Sequence, residues 1–198
     1  MIDTPYWTNH QILFLEYCFD EIFRSNLVHL NIDYLVKQGN SRMKVEALFK
    51  NDDELITELV KYWAWKDTWS INPVLITIKN PYRRLFTLLK FSFKNNRYLK
   101  LYLQILRMKL TEEAKQEIEE VNKAKHNFLS KLFTDRGLPK EQADLRTKAI
   151  VPFYNGWAKD KDNQIKSDVQ KFELLSIFKT MLFPELFNNE KISTKELK

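Results

Sequence analysis

The chain has 198 residues, 44% of them apolar and 14% aromatic, and a formal net charge of +6 with three glycines and one cysteine. This length and apolar content suit one large or two small domains with a substantial core, and exclude a disordered or low-complexity chain. Cys18 stands alone, so no intrachain disulfide is available, and neither a leader peptide nor an apolar run of ~20 residues is visible; a cytoplasmic protein without a membrane span is expected.

Scarce glycine and proline beside many Leu, Lys, Glu and Phe favour helix, and the expected fold class is all-α. A first helix is predicted from about Thr8 to Arg24, with Thr8 as cap and Ile12, Leu15, Phe19, Ile22 and Phe23 on a buried face. Cys18 falls in this apolar run and reads as a core thiol. "IDYLVKQ" forms a short second helix capped by Asn31, and Gly39-Asn40 suits a turn with positive φ. "SRMKVEALF" gives a third short helix with Ser41 as cap. The three outline a helix-turn-helix unit.

A longer fourth helix starts after Phe49, capped by Asn51 or Asp52, and ends among Trp63, Trp65 and Trp69, which are too close together to share one helical face. "SINPVLITIKNP" is a connector whose apolar run suits helix or strand. Asn80-Pro81 caps and starts the next helix, and Asn95-Asn96 divides it from another. Thr111 caps a long amphipathic helix that Gly137 ends. Pro139 lies near the start of the following helix, which Pro152 is expected to kink. "DVQKFELLSIFKTMLF", stopped by Pro184, is the last helix expected before a polar tail.

The basic excess is not at the N-terminus: residues 1–50 hold five basic side chains against six acidic ones, whereas no acid occurs between Asp67 and Glu112. In that window Arg83 and other cations interleave with Phe86, Phe91, Tyr98 and Tyr102. Two readings fit: aromatic walls and a cationic mouth for an amphipathic or anionic small molecule, or core aromatics flanked by snorkelling Lys and Arg. "FYNGW", Phe153 to Trp157, suits either the wall of a ligand cavity or, better, interface packing. His10, His29 and His126 lack paired-ligand spacing, and the three glycines form no phosphate loop. Neither a metal, a cofactor nor an enzymatic activity is expected.

"GNSRMKVEALFKNDDELI" resembles the end of the helix-turn-helix in TetR-family transcriptional regulators, through Gly39, Ser41, Phe49, Glu54 and Leu55. "EVNKAKHNFLSKLFTDRGLPKEQADLRTKAIVPFYNGW" resembles the second half of that family's ligand-binding domain. The resemblance implies a DNA-binding-like head over 1–51, a helical ligand-binding and dimerisation domain over 52–187, and a tail over 188–198. It also implies a homodimer that binds double-stranded DNA and answers to a small-molecule effector. Ser41, Arg42 and Lys44 become candidates for reaching DNA, with Lys37 and Lys50 as further phosphate contacts. Glu46 stands where the family usually has Tyr, and Asp52 where it usually has Lys. Both family positions commonly face the DNA backbone, which a carboxylate would repel. A second expectation follows: a TetR-fold dimer that has lost operator binding and serves as a ligand-binding or protein-interaction module.

Overall fold

The computed structural model describes residues 6–25, 27, 29–94, 96–159 and 176, with side chains described except at 82, 86, 89, 90, 92–94, 96, 99, 100, 151 and 153–159. Every regular element among them is helical: α1 (Asn9–Ser25), α2 (Ile32–Lys37), α3 (Arg42–Leu48), α4 (Asp52–Ala64), a π-helical turn (Trp65–Trp69), α5 (Asn72–Thr77), α6 (Pro81–Lys94), α7 (Asn96–Ile105), α8 (Glu112–Thr134) and α9 (Lys140–Lys159). The connector that suited helix or strand is therefore helical, as α5. "FYNGW" lies in α9, but its side chains fall outside the described residues, as do the expected last helix, apart from Ser176, and the tail.

Side chains start most of these helices. Thr8 and Gln11 cap α1 reciprocally: the Gln11 amide donates to Thr8 Oγ1 at 3.2 Å, and the Thr8 amide to Gln11 Oε1 at 3.0 Å. Asn31 accepts from the Tyr34 amide, Asn51 from Glu54, Asn80 from Arg83 and Thr111 from Ala114. Ser41 departs from the expected role, since its hydroxyl makes no capping bond. The Lys44 amide turns instead to the Ser41 carbonyl at 3.0 Å, in a tight first turn that needs no side-chain acceptor. Gly39 and Gly137 end α2 and α8 with φ of 94° and 89°.

The chain forms two compact units, one from Met1–Val74 and Asn95–Ala124, the other from Leu75–Lys94 and Lys125–Lys198. In the first, α1 contributes Leu15, Cys18, Phe19 and Ile22 to a continuous core with Val45 and Phe49, α4, α7 and the first half of α8. The crowded tryptophans are resolved by the π-helical turn, in which the Ser70 amide reaches the Trp65 carbonyl five residues back at 2.9 Å. Trp63 is buried and stacks on Tyr102, whereas Trp65 stacks on Tyr62 and Trp69 donates to Glu117. In the second unit, Arg84 donates twice to the Ile78 carbonyl, and Asp144 accepts from Lys140 within α9 and from Ser130 of α8, the latter bond fastening α9 to α8. Those two donors, Lys140 and then Ser130, hold the Asp144 carboxyl at about 2.

Candidate functional site

The turn between α2 and α3 is rigidly specified. The Asn40 amide reaches the Leu35 carbonyl at 3.2 Å, while its side chain donates to the same carbonyl at 2.8 Å and to the Tyr17 hydroxyl at 3.1 Å. Beyond it α3 is almost entirely presented to solvent. Val45 is the only buried residue of its seven, Leu48 is half-buried, and the next residue, Phe49, anchors the C-terminal end in the core. Met43 is 77% exposed on this helix. A short helix held by one side chain and its end is free to show most of its circumference.

Ser41, Arg42, Lys44, Lys37 and Lys50 are all exposed, and Arg42 and Lys44 lie on this presented helix. Arg42 is paired twice, with Asp33 across the turn and with Glu46 one turn on at 3.2 Å. Its hydrogen bonds to Asp33, then Glu46, raise its guanidinium above the ordinary value. Lys44, Lys37 and Lys50 form no ion pair among the described residues. The Asp52 carboxylate accepts from the Ile32 amide at 2.7 Å, taking up a free amide at the start of α2. That contact joins residues twenty apart and leaves no pattern in the sequence.

The candidate ligand residues fall in different places. Tyr98 and Tyr102 belong to the first unit: Tyr98 is buried beside Phe19, and Tyr102 stacks on Trp63 with its hydroxyl accepting from Asn122. Arg83 is exposed and Phe91 half-buried in the second unit; the Phe86 side chain lies outside the described residues.

Beside Tyr98 is an ionic cluster that sequence spacing did not suggest. Glu16 on α1 accepts from Tyr62 at 2.7 Å and Tyr98 at 3.3 Å and pairs with Lys66 at 3.2 Å; Arg97 pairs with both Glu16 and Asp20. Burial opposes ionisation of Glu16, but the Tyr62 hydrogen bond, Lys66 and Arg97 outweigh it and hold the carboxyl below its ordinary range. Burial, then Glu16, pushes the Tyr98 phenol up to about 12. Burial likewise pushes the Cys18 thiol far above its usual range, which suits a core thiol and not a nucleophile.

A concavity lies between α1 and α3. It is a groove of about 600 Å³ between His10, Leu13, Phe14 and Tyr17 of α1 and Asn40, Ser41, Lys44, Val45, Ala47 and Leu48. Among the described residues no cluster of three His, Cys, Asp or Glu could hold a metal, and no helix is long and apolar enough to cross a membrane. No family model, curated protein or solved structure matches the chain.

Proposed function

We propose that the chain is a TetR-like, ligand-responsive transcriptional regulator that binds DNA as a homodimer, with α1–α3 as its helix-turn-helix head. The observation that carries this reading is α3 itself, which commits one side chain and its end to the core and leaves Arg42, Met43 and Lys44 outward. An element of that kind can enter the major groove without disturbing the core behind it. Arg42 is suited to a guanine edge, the Met43 thioether to a thymine methyl, and Lys44, Lys37 and Lys50 to phosphates. On a symmetric dimer two such helices read half-sites about 34–36 Å apart, and an effector acts by favouring one spacing of the heads.

A second reading is favoured by specific contacts. Asp33 and Glu46 already neutralise Arg42, and Asp52 takes up the Ile32 amide at the start of α2. These contacts suit a fold of this type that has given up operator binding and retains ligand or protein interactions. Selection of bound duplexes from a random pool separates the two. A regulator enriches one sequence with two-fold symmetry; enrichment of nothing by a folded protein at low salt contradicts the first reading.

A further inference from the structure

Hydrogen bonds tie α1 to the segment around α3 near both ends of the groove. Gln11 Nε2 donates to the Leu48 carbonyl at 3.4 Å near one end, and Asn40 Nδ2 donates to the Tyr17 hydroxyl at the other. The lining is apolar through Leu13, Phe14, Val45, Ala47 and Leu48, and Leu13 is 68% exposed. An apolar concavity with a few placed polar groups is the usual form of a small-molecule site.

Two polar groups of this groove suit an anion. No Asp or Glu lines it, Lys44 carries an ammonium with no ion pair among the described residues, and the Ser41 hydroxyl is not used as a helix cap. His10 sits on the opposite wall. The lining stretch of α1, His10 to Tyr17, rises about 10 Å, close to the reach of an extended eight-carbon acid.

We infer that this groove binds an amphipathic monocarboxylate, its chain on Leu13, Phe14 and Leu48 and its carboxylate on Lys44 and Ser41. Resting on the proposed DNA-binding function, the inference also gives the ligand a role. A carboxylate held by Lys44 removes that ammonium from the DNA backbone, so ligand and duplex compete, and each lowers the affinity of the other by the same factor.

Octanoate and 1-octanol, alike in chain and different in charge, are the probes, titrated into the full-length protein with methyl NMR shifts as the readout. Saturable shifts at Leu13 and Leu48 with octanoate at least tenfold tighter than octanol are expected. Lys44→Gln should bring octanoate to the octanol affinity, and Leu13→Glu, an exposed change that adds a carboxylate to the wall, should weaken it further while leaving the circular dichroism unchanged. Equal binding of the two probes, no saturable shift at those methyls, or full affinity in Lys44→Gln overturns the inference. A labelled duplex should be released by octanoate and not by octanol. If the groove binds octanoate and a bound duplex is not released, the competition is wrong; if no duplex binds at all, the proposed function fails while the titration still decides the groove.

Discussion

Arg42 stands between two carboxylates that work against its proposed task. Asp33 reaches it across the turn and Glu46 along the helix, all three side chains being about half exposed or more. Exposed pairs of this kind contribute little to stability, so loosening them costs the fold little. Their effect on DNA is larger, because a guanidinium must leave both partners before it can meet a base, and both carboxylates repel phosphate. Asp33→Asn and Glu46→Gln should therefore each tighten binding to a selected duplex by a few-fold, with a thermal midpoint near that of the parent. Unchanged or weaker binding in both would show that the pairs position Arg42 instead of withholding it. The carboxylate at Glu46 is visible in the sequence, four residues from Arg42. Asp33 is not, because only the folded turn brings it to Arg42.

The turn and α3 act as one element. Gly39 has φ of 94°, and an added Cβ there would meet nothing within 4 Å, so the penalty of substitution is conformational and not steric crowding. Gly39→Ala should cost about 1–2 kcal/mol in denaturant unfolding, the strain of an L-residue in a left-handed conformation. A loss below a few tenths of a kcal/mol would mean that the turn relaxes to another shape. At this scale the sequence was largely legible: caps at Thr8, Asn31, Asn51, Asn80 and Thr111 and stops at Gly39 and Gly137 are local chemistry. Ser41 misled because a serine before a helix is a preferred cap, whereas here a backbone carbonyl takes the amide that its hydroxyl would have served. The π-helical turn was legible only as a conflict, three tryptophans that one helical face could not hold.

At the scale of the molecule, the all-helical class was legible from composition and periodicity, but the pairing of distant elements was not. Tyr98 and Tyr102 lie in an acid-free stretch of sequence, yet folding sets Tyr98 beside Glu16, 82 residues away, and Tyr102 on Trp63. Charge in sequence is a poor guide to charge in space. The Glu16 cluster gives the first unit a defined acid response. Its folded carboxyl titrates below the ordinary value of 4.5 that it regains on unfolding, so the folded state binds fewer protons around that pH. The stability it supplies is complete above that value and is lost as pH falls through the lower folded one. Glu16→Gln should be less stable near neutral pH and should flatten the acid limb of the stability curve; a parallel limb would place the acid response elsewhere.

The central claim is that α3 meets DNA with Lys44 on the backbone. It is tested most directly by the affinity for a selected duplex across a salt series, for the parent and Lys44→Ala. The account predicts binding that falls steeply with salt, and a logarithmic slope reduced in Lys44→Ala by about one for each head that contacts the duplex. A slope identical in the two proteins, or no selective binding at low salt by a folded dimer, would contradict it.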